Sequence, residues 1–269
     1  MTRWLLNNLS TWQLAVVIVG GLGVLAVAGL VLVRRSLPHL TQTPINDVAG
    51  VIVGVVAAVY GIILAFIIVA LYEQFSEAQV TVRTEASQLS QLYENTQVFP
   101  PQVHRRMRNE VRAYAAAVRD EEWSLMREGR ESADAWRHVG DLYGVLERYN
   151  PRTSAQSAFY DQAVSRLNDL IASRRERLSD AADELPSTFQ VLLFGGAVLL
   201  IGSLYLLGLP SARMQTAMVL SVALLTGFNL LLAVVLDHPF SGEVAVSSSP
   251  FTQGSLGQLD PTLASARGR

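Results

Sequence analysis

The chain has 269 residues, half of them apolar, and a formal net charge of −2. That balance supplies no electrostatic case for nucleic acid as a partner. There is no Cys, which excludes disulfides, thiol nucleophiles and Cys-ligated zinc, and all 21 basic residues are Arg.

In chain order, four long apolar runs stand out: Leu14–Val33, Val48–Leu71, Phe189–Leu209 and Thr216–Leu236. Each approaches the ~20 residues a helix needs to cross a bilayer core. Their apolar cores carry no charge, and Asp47 and Asp237 stand only at ends. Ala26-Val27-Ala28 after Arg3 has the look of a signal-cleavage site, but the first run continues to Val33 and a second span follows. A retained transmembrane helix is expected there. The fold class is therefore all-α: a polytopic membrane protein with four spans and a helical domain inserted between spans 2 and 3. The expected boundaries are 1–71 for the first two spans, 72–187 for the helical domain with its stalk, 188–236 for the last two spans and 237–269 for a tail.

Before the second span, Thr43-Pro44 reads as a helix start, with Asn46 three residues past Thr43. The span then runs without a breaker into a stalk. Apolar positions recur at Phe75, Ala78, Val82, Ala86, Leu89 and Tyr93, so one helix from about Ile45 to Gln97 is expected, stopped by Pro100-Pro101. A second soluble helix should start near Pro101, with Val103, Met107, Val111, Tyr114, Val118, Glu122 and Leu125 on its stripe. A third spans about Ser132–Tyr149, and a fourth runs from near Thr153 to about Glu184. Pro186 either separates the fourth from the third span or kinks one continuous helix. Nothing here alternates with period two, so no sheet is expected. The end of the tail, rich in Ser, Gly and Pro, is expected to be disordered.

Four separated patterns occur in order. The second span reads Asn46-Asp47-x-x-Gly50 and then Tyr60-Gly61-x-x-Leu64-Ala65-Phe66. The helical domain has Tyr114-x-x-x-Val118-x-x-x-Glu122-Trp123. Arg174-Arg175-x-Arg177-Leu178 and Leu185-Pro186 precede the third span. Leu236-Asp237-x-Pro239-Phe240-x-Gly242, then Val246 and Pro250-Phe251, follow the fourth. Over nearly its whole length the chain resembles the bestrophin-like bacterial four-pass membrane proteins, a family catalogued as a domain of unknown function. The resemblance implies a bacterial plasma membrane, a homo-oligomer, small anions as the conducted species, and a pore lined by the second span. Two bestrophin features are not matched: the aromatic pore neck, and the acidic calcium cluster of the tail, where only Asp237 and Glu243 are near.

Candidate residues follow. Gly50, Gly54, Ala57, Gly61 and Ala65, with Asp47 a turn earlier, share one helical face. That face either lines a pore or packs closely on another helix, since small residues let backbones approach in lipid. Asn229 is the one strongly polar residue deep in the fourth span. Its amide is expected to bond a neighbouring helix, with a polar pore ring as the alternative. Asp237, Pro239, Phe240 and Gly242 form the exit from the membrane, read as a staple onto the helical domain with Phe240 suited to the lipid interface, or as a pore mouth. Glu122 and Arg174 each interrupt an apolar stripe. They are expected to pair, or else to snorkel to the rim.

Enzyme signals are lacking. His39, His104, His138 and His238 form no metal-spaced pair, and there is no phosphate loop or nucleophile elbow. No catalytic residue, cofactor site or metal site is expected. The helical domain holds 15 Arg against 19 acids, a mixed surface rather than a polybasic lipid-binding patch. The short loops carry Arg34, Arg35 and Arg213, which favours those loops inside and the helical domain outside, whereas the resemblance implies a cytoplasmic domain. Two functions remain: an oligomeric anion channel or pore, and a non-conducting membrane-anchored helical scaffold or sensor. Either is a partner of the lipid bilayer.

Overall fold

A computed structural model of the chain describes residues 2–36, 46–209 and 211–259. Among them the regular elements are all helical. They are α1 (Thr2–Asn8), α2 (Thr11–Ser36), α3 (Asn46–Asn95), α4 (Pro101–Ala117), α5 (Trp123–Met126), α6 (Ala133–Glu147), α7 (Ser154–Ala182), α8 (Ser187–Leu204), α9 (Ala212–Leu236) and α10 (Gly254–Leu259). Four of the helices are long and apolar enough to cross a membrane, and these include α2, the first part of α3, and α9. The fourth apolar stretch is that of α8, preceded by the polar α7. The protein is thus a multi-pass membrane protein whose helical segment lies in the chain between the second and third spans.

The contacts divide the chain into two compact units. One comprises residues 1–75, 184–238 and 242–244, the other residues 76–183, 239–241 and 245–269. The expected single helix of the second span and stalk is α3, 50 residues long, followed by a 3-10 turn over Thr96–Val98. The Thr43-Pro44 start signal lies outside the described residues. At the other end Phe99 is extended and Pro101 opens α4, where its missing N–H costs nothing. Side-chain caps account for several other starts. Ser132 Oγ accepts from the Ala135 N–H and Thr153 Oγ1 from that of Gln156. Ser10 and Gln13 form a reciprocal capping box on α2. Of the two readings of Pro186, separation is what occurs: α7 ends at Ala182, Asp183 turns extended and α8 begins at Ser187. Part of the tail is ordered, with a 3-10 turn over Ser249–Thr252 and then α10, and residues beyond Leu259 lie outside the described part.

Within the membrane unit, Ala26 and Leu30 of α2, Val53 of α3, Ile201 and Leu204 of α8, and Val219 and Ala223 of α9 form one core cluster. Small residues set the close approaches. A Cβ on Gly227 would lie 3.0 Å from Val19 Cα, so α9 and α2 meet backbone to backbone. Gly29 admits the Tyr205 ring, whose hydroxyl donates to Ala26 O at 2.8 Å. Gln215, fully buried, accepts from Arg34 at 2.8 Å and donates to Leu207 O at 2.7 Å. The Arg34 headgroup at the end of α2 thereby gains a buried partner on α9.

Candidate functional site

The membrane part of α3 buries a narrow face: Val53, Tyr60, Leu64, Ile67 and Leu71. Tyr60 anchors it. Its hydroxyl donates to Leu193 O at 2.9 Å, and its ring fills the space where a Gly196 side chain would stand. Beside this contact a groove of about 450 Å³, walled by Val55, Val59, Ile63, Leu192 and Leu199, is almost entirely apolar.

At about 100° per residue, the small-residue stripe lies roughly a quarter turn from the buried face. Gly50, Gly54, Ala57, Gly61 and Ala65 are all exposed, and no atom comes within 4 Å of where a Cβ would be at Gly50, Gly54 or Gly61. Packing of this stripe against other helices of the same chain is therefore not found. The contrast with Gly23, Gly29, Gly196 and Gly227, which do meet neighbours, shows what an intrachain glycine contact looks like here. The far side of α3 is exposed as well, at Val51, Val55, Val59, Ile62, Phe66 and Val69. Asp47 stands in the first turn of α3, and its side chain lies outside the described part. Asn229 does not reach a neighbouring helix. Its Nδ2 donates to Leu225 O, one turn back on α9, at 2.9 Å, a local bond within its own helix.

In the helical unit, Glu122 and Arg174 are both fully buried and make a forked pair, with Nη2–Oε2 at 2.8 Å and Nε–Oε1 at 3.3 Å. They do not stand alone. Arg177, also fully buried, reaches Glu122 at 3.3 Å and Glu85 on α3 at 2.6 and 3.0 Å. Tyr114 donates its hydroxyl to Glu85 at 2.6 Å. Two carboxylates and two guanidiniums thus balance. The chain enters this cluster through a π-type turn over Val118–Glu122, which lets Glu122 point inward together with Trp123. Aromatic faces close the cage: Arg174 lies 4.2 Å from the Trp136 ring centre and Arg177 5.3 Å from that of Trp123. Burial pushes the Glu122 carboxyl up, with Arg177 and Arg174 pulling against it. For Arg177 burial pulls down, but Glu85 and Glu122 outweigh it and the net displacement is upward. The sequence reading missed Glu85, Arg177 and Tyr114 as members. The available signal was Arg177, one turn beyond Arg174 and on the same face.

The exit motif divides its work. Asp237 accepts the Leu185 N–H at 2.8 Å, sealing the start of α8. Gly242, at φ +81, takes a left-handed conformation that suits glycine, and its N–H donates to Asn7 Oδ1 at 3.4 Å. Pro239 O accepts from the Val246 N–H at 2.7 Å. Phe240 is buried edge-on to Trp123, with ring centres 5.8 Å apart, so it does not sit at the lipid interface as its position suggested. Trp123 Nε1 donates to Val246 O at 3.1 Å.

Near the start of the stalk, Asp180 carries a different kind of strain. One of its carboxylate oxygens is buried without a hydrogen-bond partner. Burial, reinforced by Glu176, Glu77 and Asp183, pushes its pKa up to about 6. The folded value exceeds the ordinary carboxylate value, so the protonated form stabilises the fold at low pH, and that contribution is lost as pH rises through about 6. Asp180→Asn should raise the melting temperature at pH 7.5 and leave it unchanged near pH 4. A lowered melting temperature at pH 7.5 would contradict this account.

A family model described as the Bestrophin-like domain matches residues 20–251. The chain belongs to the bestrophin-like family. Solved structures agree in fold. A point-mutant form of a bacterial bestrophin homologue from Klebsiella pneumoniae superposes with a TM-score of 0.63 at 16% identity, covering 92% of this chain and 97% of that one. A second mutant form of that homologue gives 0.61 at 17% identity, with 92% and 95% covered. A point variant of a structure described only as a membrane protein gives 0.62 at 16% identity, with 93% and 99% covered. No curated protein sequence matches the chain.

Proposed function

We propose that the chain is one subunit of an oligomeric anion channel in which the second spans of several copies surround the conduction path. The observation that carries this reading is the exposed small-residue face of α3. Glycine facing lipid gains no close packing, and a span with only one buried face is short of neighbours that other copies can supply. The anion preference rests on family membership and on charge. No residue from Val48 to Tyr72 is acidic, so the apolar part of the path offers no carboxylate ring to draw cations. The competing account, a non-conducting scaffold or sensor, draws support from the stripe's lack of polar side chains.

Reconstitution into liposomes with an anion-flux assay separates the two. Flux by the native chain, abolished by Gly61→Leu, supports the channel. A silent native protein that assembles normally overturns it. Orientation is open to a direct test because the chain has no Cys. A single Ser157→Cys reporter, exposed at the start of α7, should react with a membrane-impermeant maleimide added outside intact cells. That outcome follows from the short-loop arginines; protection until lysis places the helical unit inside.

A further inference from the structure

One group of side chains on the helical unit takes no part in the buried network or in the second span. Glu110 on α4, and His138 and Asp141 on α6, each turn a donor atom towards the others, and the three atoms lie within 4.8 Å of one another. His138 Nδ1 stands 3.0 Å from Glu110 Oε2. His138 and Asp141 are one turn apart on a single helix and so share a face. Glu110 and His138 are partly buried, with side-chain exposures of 28% and 20%, while Asp141 is exposed. They stand at a groove of about 510 Å³ that Glu110 and Asp141 help to line, along with Arg106, Arg148 and Tyr149. Gly140 and Gly144 leave one wall of it without side chains.

A hydrogen-bonded His–Glu contact accounts for two of these residues. It leaves Asp141 as a third donor turned to the same point from the next turn of α6. Two ligands bound at about 2.1 Å in a tetrahedral site stand about 3.4 Å apart. The hydrogen-bonded His138 and Glu110 atoms, at 3.0 Å, reach that spacing by opening a few tenths of an ångström as the ion replaces the shared proton. One imidazole and two carboxylates form a borderline-to-hard donor set. It suits zinc, cobalt or manganese, and it lacks the thiolates that select copper(I) and the six or more oxygens that calcium takes. Arg106 and Arg148 in the same groove oppose a cation held by charge alone, so imidazole donation has to decide the affinity. That favours zinc and cobalt over magnesium.

We propose that Glu110, His138 and Asp141 bind a first-row divalent cation of the zinc class at this groove, tying α4 to α6. The remaining coordination positions open to water in the groove. The proposal is independent of ion conduction. It is tested by calorimetric titration of the tag-free, chelator-treated full chain in detergent with zinc, cobalt and magnesium chlorides. Saturable binding of zinc and cobalt at one per chain is expected, with magnesium at least roughly tenfold weaker. His138→Gln and Asp141→Asn should each weaken zinc by at least about tenfold, while Asp161→Asn, an exposed carboxylate on α7, should not. Visible absorption of the cobalt form gives a second measurement, since loss of the imidazole in His138→Gln changes its ligand-field bands. If His138→Gln fails to fold, Asp141→Asn decides the matter from the surface. Absence of one-per-chain binding, or native affinity in a folded Asp141→Asn or His138→Gln chain, overturns the proposal.

Discussion

Arg177→Met should be among the most damaging single substitutions in the helical unit. Among the described residues Arg177 is the one cation that touches both buried carboxylates, Glu85 at 2.6 Å and Glu122 at 3.3 Å. Its removal leaves two negative charges and one positive in a site with no exposure to water. Breaking a buried pair by removing one partner costs about 3–5 kcal/mol, against no more than ~1 for an exposed pair such as Arg137–Asp134. Arg174→Met should cost less, because Arg177 remains to share Glu122 and the Trp136 face is lost rather than a second carboxylate contact. Glu122→Ala strands a guanidinium and should fall in the same range as Arg177→Met. The pair Glu122→Leu/Arg174→Leu should recover much of that loss, since Arg177 and Glu85 still form a matched forked pair with Tyr114 donating to Glu85. Thermal or denaturant unfolding of the purified protein checks the order. A silent Arg177→Met, or a double substitution as damaging as the sum of its parts, would count against a balanced four-charge network.

Why some of this was legible in the sequence and some was not follows from what periodicity records. α3 was readable because residues 62–99 contain neither Pro nor Gly and because Pro100-Pro101 forbids continuation. The starts of the third and fourth soluble helices, read from their apolar stripes as near Ser132 and Thr153, coincide with residues that cap them. Glu122 and Arg174 stood out as charges on apolar stripes. Glu85 did not, since Ala86 beside it already completed the apolar pattern, and Arg177 was visible only as a second arginine one turn beyond Arg174. A charge one position off a stripe reads as solvated unless the partner helix is known. Glu110 and His138 lie 28 residues apart on different helices, a separation that no local spacing rule reaches. Phe240 was misplaced for a related reason. An aromatic residue just past a span suits the interface, and only tertiary packing against Trp123 overrides that preference. The small-residue stripe had the opposite limit. Its spacing defines one face of one helix, and nothing in a single chain's periodicity tells a contact within the subunit from one between copies.

That last distinction yields the second large effect. Gly227→Leu and Gly54→Leu add the same side chain to glycines in membrane spans, yet they should fail differently. At Gly227 the new Cβ would meet the Val19 backbone at 3.0 Å, where no side-chain rotation relieves the clash. Overpacking of this kind costs about 1–3 kcal/mol or more, because α2 and α9 must separate along their contact. The single chain itself should be destabilised and its yield in detergent should fall. At Gly54 nothing lies within 4 Å. The single chain should unfold within about 0.5 kcal/mol of the native protein, as substitutions that touch nothing usually do. If the stripe faces other copies, Gly54→Leu should nonetheless lose the native oligomer on size-exclusion chromatography with light scattering, and lose anion flux with it. Gly227→Leu loses both through the fold; Gly54→Leu loses them with the fold intact. A Gly54→Leu protein that assembles and conducts like the native one would remove the stripe from the path and leave it facing lipid.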